Sequence, residues 1–192
     1  MPAATSDFKP ITLAEIQNGL CPSDRPIRIL VEGTYDLFHI GHIEVLRQAK
    51  QAFPNVCLVV GVNTDVDVIK YKGGRPVMSY AERLRAVLEC KYVDEVLSDH
   101  PFYFSLDYVN QIQCDLVAHD DLPYNTGGAI QGSDGDDFYM RFKRVDRFLA
   151  TQRTEGISTT DLIQRILNAH EEYMERNRKR GLAPVAVMAA EC

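Results

Sequence analysis

The sequence predicts an α/β protein built on a parallel β-sheet. Short apolar runs alternate with segments whose apolar residues recur at helical spacing over most of the 192 residues. One run, residues 56–62, is continuously apolar, as are strands buried on both faces of a parallel sheet. The apolar content of 45% and the charged content of 25% are ordinary for a globular domain. Strands that alternate with helices imply right-handed β-α-β crossovers.

The elements follow one another in a regular order along the chain. The predicted strands cover residues 27–32, 56–62, 93–97 and 115–119, and the predicted helices cover 41–53, 79–90, 104–112, 136–149 and 158–178. A short helix is expected over 12–20. Ser79 and Glu82 have the spacing of a capping box at the start of the helix predicted at 79–90. We therefore divide the chain into an N-terminal arm (1–24), one main domain (25–181) and a C-terminal tail (182–192).

Composition and charge exclude several functional classes. A net charge of −6 argues against general nucleic-acid binding. The sequence shows neither a secretory leader nor an apolar run of membrane-spanning length, which predicts a protein that is neither secreted nor integral to a membrane. The five cysteines have no C-x-x-C spacing, and Cys57, Cys90 and Cys114 lie in apolar runs. Core thiols and a reducing, cytoplasmic compartment are expected.

His39 and His42 lie where the first strand gives way to a helix, and three interpretations of this pair remain open. They are candidate zinc ligands, although no H-E-x-x-H motif or nearby cysteine pair supplies further ligands. They are candidate packing residues. They are also candidate hydrogen-bond donors to an anion at a helix N-terminus, where Gly41 permits close approach. Donors of this kind stabilise the charge that develops on a phosphate undergoing substitution.

A second candidate anion site lies in residues 151–162. Gly156 interrupts the chain, and Ser158, Thr159 and Thr160 precede a strongly amphipathic helix. Free N–H groups, hydroxyls and the Arg153 guanidinium together favour an anion. Ordinary capping by Ser or Thr is the simpler interpretation of the same residues.

Two loops carry further candidates. Lys72 precedes a Gly-Gly pair in residues 70–76, which predicts either a solvated basic loop or a mobile lysine that closes over phosphates. Asp120 follows an apolar strand that ends at His119. A carboxylate at that position suits a cation or a ribose, and turn capping is the alternative.

Two of these motifs together resemble the cytidylyltransferase branch of the nucleotidyltransferase superfamily. The H-x-G-H signature stands at His39–His42, and the branch signature R-T-E-G-I-S-T stands at Arg153–Thr159. The resemblance runs from about residue 25 to 181. It implies a Rossmann-like, doubly wound parallel sheet of the nucleotidyltransferase type, with residues 25–181 as a catalytic domain. The segment V-A-H-D-D-L-P-Y (117–124) is similar to members that act on phosphocholine.

The implied reaction is transfer of CMP from CTP to phosphocholine, which yields CDP-choline and pyrophosphate. An oxygen of phosphocholine attacks the α-phosphorus in line, and Mg²⁺ is bound through the CTP phosphates. The resemblance assigns catalytic roles to His39, His42, Lys72 and Arg153. It assigns nucleotide binding to Thr34, Tyr35, His39, His42, Gln152, Arg153, Thr154, Gly156, Ile157, Ser158 and Thr159. It assigns acceptor binding to Lys72, Phe102, Asp120 and Tyr124, and no metal ligand to the protein.

Three departures and several alternatives accompany the resemblance. Phe102 stands where the family often has tryptophan, which attracts a cation more strongly. The loop at 125–137 is longer than in relatives. No membrane-binding helix of the kind found in regulated members is expected in this chain. A homodimer is expected from family precedent. Phosphoethanolamine or another small phosphate as the acceptor, an adenylyltransferase, and a binding domain without chemistry are the alternatives.

Overall fold

The structure is a computed structural model that describes residues 8–124 and 137–182. The chain divides into two compact units, Met1–Glu155 and Gly156–Cys192. In the first unit the strands are Ile27–Gly33 (β1), Val56–Asn63 (β2), Glu95–His100 (β3), Leu116–Asp120 (β4) and Phe148–Thr151 (β5). These strands form one sheet in the order β3-β2-β1-β4-β5, and every neighbouring pair is parallel. The predicted α/β fold with a parallel, Rossmann-like sheet is confirmed.

Six helices connect the strands among the described residues of the first unit. They are Leu13–Gln17 (α1), Ile40–Lys50 (α2), Asp65–Lys72 (α3), Tyr80–Leu88 (α4), Leu106–Gln111 (α5) and Met140–Lys143 (α6). The second unit contains Thr159–Asn168 (α7) and His170–Lys179 (α8). The single helix predicted over 158–178 is therefore two, separated at Ala169.

The core has two layers, one on each face of the sheet. Successive side chains of a strand lie on opposite faces, so Ile29 and Val31 pack with α2 and α4, whereas Leu30 packs with α5 and α6. All eight residues of β2 are buried. This double burial explains the unbroken apolar run at 56–62, because neither face of β2 is exposed to water.

The order of the strands locates the place where a ligand is expected. β1 lies between β2 and β4, so the chain runs outward from β1 in both directions. At such a switch point the loops that follow the two central strands diverge and leave a crevice at their carboxyl ends. Here the crevice lies beyond Gly33 of β1 and Asp120 of β4.

The helix predicted over 136–149 is wrong for most of its length. Within the described part of that range, 137–149, only Met140–Lys143 is helical, and Phe148–Thr151 forms β5 beside β4. Asp146 adopts a left-handed conformation with φ of 55°, which ends the helical geometry before the strand begins. The aromatic and aliphatic residues of 138–149 matched a helical period by coincidence.

The loop predicted at 70–76 begins later than expected, because Lys72 is the last residue of α3 and the non-helical chain starts at Gly73. Thr64 caps that helix by accepting a hydrogen bond from the Asp67 N–H, and Gly73 ends it with φ of 76°. The strand predicted at 93–97 begins at Glu95 instead. Asp94 anchors its start through its side chain, which accepts the Leu58 N–H at 2.6 Å.

Other predictions have mixed outcomes. The capping box of Ser79 and Glu82 is confirmed, and Ser105 caps α5. Cys57 and Cys114 are buried, whereas Cys90 is only partly buried against the core. Residues 1–7, the long loop at 125–136 and all of the tail beyond Leu182 lie outside the described residues, and the predicted domain boundaries stay predictions. None of the helices described is both long enough and apolar enough to cross a membrane.

Candidate active site

The predicted site residues of the first unit all follow the carboxyl ends of strands. Thr34, Tyr35, His39 and His42 follow β1, and Lys72 follows β2 at the end of α3. Phe102 follows β3, Asp120 is the last residue of β4, and Tyr124 lies shortly after it. Gln152, Arg153 and Thr154 follow β5. Parallel strands direct all these ends to the same edge of the sheet. Positions far apart in sequence are thus brought to one edge.

His39 and His42 form a capping pair at the start of α2. His39 is the N-cap, and its Nδ1 accepts a hydrogen bond from the Gly41 N–H at 3.1 Å. The His39 N–H donates in turn to Nδ1 of His42 at 3.4 Å, and the two rings stack with centroids 3.8 Å apart. Because both Nδ1 atoms accept, the ring proton available to a ligand lies on Nε2 of each histidine. The pair therefore caps the helix and also carries two Nε2–H donors.

The His42 ring is neutral at physiological pH. Burial lowers the pKa of His42 to about 3, and the neighbouring charges of His39 and Lys72 act in the same direction. Tyr35 packs edge-on against this ring at 5.3 Å, and Phe38 stacks on it at 5.8 Å. A ring held in this way acts on an anion as a hydrogen-bond donor rather than as a cation. Tyr35 is itself buried, with 3% of its surface exposed, so it supports the His42 ring from the side of the hydrophobic core.

Lys72 is held next to the H-x-G-H loop. Its Nζ donates to Thr34 Oγ1 at 2.9 Å and lies 5.8 Å from the centre of the Phe102 ring. Although much of the residue's surface is exposed, the atoms crowded around its ammonium group lower the pKa of Lys72. The nearby Glu32 carboxylate opposes that shift. The ammonium thus stands between the phosphate-binding candidates and an aromatic cluster.

Two buried polar residues that sequence reasoning missed fix the loop between β1 and α2. Asp36 accepts the N–H groups of Val77 and Met78, each at 2.8 Å. Arg83 of α4 is fully buried and donates to the carbonyl oxygens of Thr34 and Asn63. Asp36 carries a weak signal in the sequence, as a carboxylate between the first strand and the H-x-G-H signature, whereas Arg83 carries none.

An acidic and aromatic group occupies the β1–β4 side of the edge. The Tyr139 hydroxyl donates to the Glu32 carboxylate at 2.6 Å, and Asn63 Nδ2 donates to the same group at 3.2 Å. Burial, followed by the charge of Glu32, raises the pKa of Tyr139 well above its ordinary value, so the phenol stays protonated. Glu32 and Tyr139 were also missed from the sequence, although Glu32 lies at the end of the first strand.

Aromatic rings continue from this group to α3. Tyr103 contacts Tyr71 at 4.9 Å and Phe102 at 5.0 Å, and Phe102 lies 5.0 Å from Tyr71. Phe102, the residue predicted to face a cation, is only 6% exposed. Tyr103 is more accessible. On the other side, the Tyr124 ring lies 6.1 Å from that of Tyr139.

Several buried polar atoms at this edge have no hydrogen-bond partner among the described residues. They include the Tyr35 hydroxyl, Nε2 of His100, Oγ1 of Thr151 and Nε of Arg83. His100 and Thr151 are the last residues of β3 and β5. Buried polar groups in folded proteins are normally satisfied. Their concentration at the carboxyl edge of the sheet fits a polar ligand there.

Asp120 and Tyr124 are held by local hydrogen bonds. Asp120 Oδ1 accepts the Leu122 N–H at 3.2 Å, which is the turn-capping role left open from the sequence. The Tyr124 N–H donates to Asp137 Oδ1 at 3.1 Å. Both side chains keep partial exposure beside β4.

The R-T-E-G-I-S-T segment begins in the first unit and ends in the second. In the first unit, Gln48 of α2 makes two hydrogen bonds to the backbone of Gln152: its Nε2 donates to the carbonyl at 3.0 Å and its Oε1 accepts the N–H at 2.7 Å. This pair fixes the chain just before Arg153 and Thr154 against the histidine-bearing helix.

In the second unit, Gly156 adopts φ of 71° and precedes Ile157 and the helix α7. Ser158 is the N-cap of α7 and accepts the Asp161 N–H at 3.0 Å, and Thr159 is the first helical residue. The capping role predicted for this segment is confirmed, and its anion-binding role stays a prediction. Within residues 8–124 and 137–182, no group of three or more His, Cys, Asp or Glu side chains is placed to hold a metal ion.

Comparison with known proteins agrees with this arrangement. The cytidylyltransferase-like family model matches residues 30–165. The chain is 44% identical over 161 residues to a probable choline-phosphate cytidylyltransferase of Schizosaccharomyces pombe, covering 84% of this chain and 42% of the relative. It is 39% identical over 152 residues to an ethanolamine-phosphate cytidylyltransferase of Dictyostelium discoideum, covering 79% of this chain and 39% of that protein. The chain thus spans less than half the length of these curated relatives.

A solved structure extends the comparison to the fold. The crystal structure of the lipopolysaccharide core biosynthesis protein from Thermoplasma volcanium GSS1 superimposes with a TM-score of 0.50 at 23% identity. The match covers 67% of this chain and 98% of the other, and it supports the fold alone. The family model covers most of the sheet, both histidines and the complete R-T-E-G-I-S-T segment. On that match, the chain belongs to the cytidylyltransferase-like family.

Proposed function

We propose that the chain transfers CMP from CTP to phosphocholine, giving CDP-choline and pyrophosphate. One observation carries the proposal. Lys72 stands between two chemically different groups, a histidine pair whose Nε2–H atoms suit phosphate oxygens and an acidic, aromatic group around Glu32 that suits an organic cation. A reaction that joins a nucleotide phosphate to a cationic phosphate needs both groups together. The similarity to the fission-yeast relative supports the same substrates.

The nucleotide half of the proposal assigns CTP to the histidine side. His39 and His42 donate to the phosphates and to the crowded transition state, where charge grows on the equatorial oxygens. Thr34, Tyr35, Gln152, Arg153 and Thr154 of the first unit line the nucleotide site in this proposal, and Gly156, Ile157, Ser158 and Thr159 of the second signature stay candidate nucleotide-binding residues. The phosphocholine oxygen attacks the α-phosphorus directly and pyrophosphate leaves, so no covalent enzyme intermediate forms. Catalysis is then positioning and charge stabilisation.

The acceptor half assigns the choline group to the acidic, aromatic side. A quaternary ammonium has no proton to donate, so aromatic faces and carboxylates recognise it. Glu32 supplies the negative charge, and Tyr103, Tyr124 and Tyr139 supply ring surface. Phe102 lies behind Tyr103, and Asp120 adds a second carboxylate at the end of β4. Lys72 binds the acceptor phosphate and joins it to the nucleotide phosphates.

Magnesium enters this proposal with the nucleotide. In this proposal the metal is held mainly by the triphosphate. When bound, Mg²⁺ neutralises phosphate charge and assists departure of pyrophosphate. His39 and His42 would donate their Nε2–H groups to phosphate oxygens of the same nucleotide.

A substrate panel tests the proposal. Pyrophosphate release is measured with CTP or ATP, each combined with phosphocholine or phosphoethanolamine. We expect CTP with phosphocholine to be turned over best, and Glu32→Gln to raise the KM for phosphocholine more than the KM for CTP. A preference for phosphoethanolamine would identify that compound as the acceptor in place of phosphocholine. A primary ammonium donates hydrogen bonds to carboxylates and needs fewer aromatic rings around it. Absence of pyrophosphate release with every pair would overturn the proposed reaction.

Two further expectations belong to the same proposal. We propose that the active form is a homodimer, which light scattering of the purified chain at assay concentration measures. We also propose that it works in the cytoplasm, in line with the buried thiols Cys57 and Cys114 and the CTP it requires.

A further inference from the structure

Asp137 ties together the backbone of two tyrosines at the acidic, aromatic group. Its carboxylate is buried, and Oδ1 accepts the N–H groups of both Tyr124 and Tyr139 at 3.1 Å. The Phe138 N–H also donates to the Tyr124 carbonyl at 3.0 Å. One side chain thus fixes the relative position of two segments that residues 125–136 separate in sequence.

Lys143, the last residue of α6, completes this arrangement. Its Nζ donates to Asp137 Oδ2 at 3.0 Å and pairs with Asp121 at 2.9 Å. It also lies 4.8 Å from the centre of the Phe148 ring. Asp137 is nearly inaccessible, whereas 72% of the Asp121 side chain is exposed. The two ion pairs of Lys143 therefore differ in burial, and the buried pair with Asp137 is the stronger.

The pKa of Asp137 reflects its contact with Lys143 and with the two backbone N–H groups. Burial acts to raise the pKa of Asp137, but hydrogen bonds from Lys143 and from the two tyrosine N–H groups outweigh it and lower the pKa. Asp137 therefore stays ionised at neutral pH. Removing the ammonium would leave a buried carboxylate with only backbone donors, so the segment must adjust.

The positions of the two tyrosine rings depend on this anchoring. The Tyr139 hydroxyl reaches Glu32, and its ring stacks on His119 at 4.4 Å. The Tyr124 ring lies 5.9 Å from the same His119 ring. A shift of either backbone would move a ring face relative to Glu32, and ring distance governs the attraction of a cation.

We propose that the Asp137–Lys143 ion pair is a positioning device that holds Tyr124 and Tyr139 as walls of the cation subsite and thereby sets the affinity for the acceptor. The proposal rests on the proposed function for the choline group. Neither member of the pair needs to touch the substrate. Both act through the tyrosines, so their loss should affect the acceptor and spare the nucleotide.

Three variants of the full chain test this role. Lys143→Met keeps the aliphatic stem over Phe148 but removes the charge, Asp121→Asn removes only the exposed partner, and Lys143→Arg restores a cation. We expect Lys143→Met to raise the KM for phosphocholine about tenfold, the size of one lost charge-assisted hydrogen bond. The kcat and the KM for CTP should stay near wild type. Asp121→Asn should behave as wild type, and Lys143→Arg should recover most of the loss.

Several results would overturn the positioning role. One is an equal increase in the KM for phosphocholine and the KM for CTP in Lys143→Met. Another is the same increase in the KM for phosphocholine in Asp121→Asn. A third is a KM for phosphocholine in Lys143→Arg as high as in Lys143→Met. If Lys143→Met does not fold, Asp137→Asn takes its place, because it keeps the acceptor for the two N–H groups and loses only the charge facing Lys143. The same outcomes then decide.

A readout without turnover separates this inference from the proposed reaction. NMR signals of ring-labelled tyrosines should move for Tyr124 and Tyr139 in Lys143→Met and stay unchanged in Asp121→Asn. Movement of those signals in a chain that releases no pyrophosphate would sustain the anchoring while refuting the reaction. Unmoved signals in an active enzyme would refute the anchoring alone.

Discussion

Replacing Arg83 with methionine should remove the main polar connection between the ends of β1 and β2. The guanidinium is completely buried, and it donates to the carbonyl oxygens of Thr34 and Asn63 and to Asp65 Oδ1 at 2.7 Å. Methionine keeps the apolar length of the side chain but offers no donor. The variant therefore isolates the hydrogen bonds from the packing.

The size of the effect follows from what is left unpaired. Asp65 is 41% exposed, so water can replace its lost partner. The two carbonyls at the strand ends are enclosed, and each unsatisfied group costs roughly 1–3 kcal/mol. Arg83 Nε has no partner among the described residues, so its removal offsets part of this sum. We expect the free energy of unfolding to fall by about 3 kcal/mol.

Urea denaturation of the wild type and two variants measures this loss. The control is Arg85→Met on the same helix, because Arg85 and Glu89 form an exposed pair with side-chain exposures of 75% and 66%. Exposed pairs contribute little, so the control should unfold close to the wild-type midpoint. Equal midpoints for the two variants would refute the buried role of Arg83. Because Arg83 holds Thr34, the partner of Lys72, the variant should also lose activity under conditions where it remains folded.

Three further perturbations test other parts of the structure. Gly61→Ala should destabilise the protein by about 1–3 kcal/mol, because a Cβ there would stand 2.5 Å from Cδ2 of His100. In the His100→Ala background, Gly61→Ala should cost much less free energy of unfolding in urea denaturation than it does in the wild type. Additive losses of the two substitutions would contradict the contact. His100→Gln should flatten the fall in unfolding free energy between pH 6.5 and 4, because burial lowers the folded pKa of His100 to about 4 and only the unfolded chain takes up that proton. Identical slopes for variant and wild type would contradict this. Gln48→Ala should raise the KM for CTP about fivefold, because it releases the backbone of Gln152. Gln51→Ala, which follows the same helix, should leave that KM unchanged. Equal effects of the two substitutions would refute the role of Gln48 in holding Gln152.

The sheet was predictable from the sequence because its signals are local. β1, β2 and β4 are apolar runs whose burial on both faces leaves a continuous pattern, and the structure has all three. β5 was not predictable in the same way. It is four residues long and acquires its strand identity only by pairing with β4.

The site was predictable where a motif carries the chemistry. His39, His42 and Arg153 stand in recognisable signatures, and the first two are placed together by the cap of α2. Glu32 and Tyr139 are 107 positions apart, and only the fold brings the phenol to the carboxylate. The signal for α3 was present in its Thr64 cap and its terminal Gly73 but was weaker than the loop-like Gly-Gly pair.

The central proposal is that the H-x-G-H pair and Arg153, all in the first unit, bind the phosphates of one CTP molecule. A crystal structure of the chain with CTP tests it most directly. We predict that Nε2 of both His39 and His42 lies within hydrogen-bond distance of phosphate oxygens and that Arg153 contacts the same phosphate chain. CTP bound with its phosphates away from the two histidines or from Arg153 would contradict this proposal.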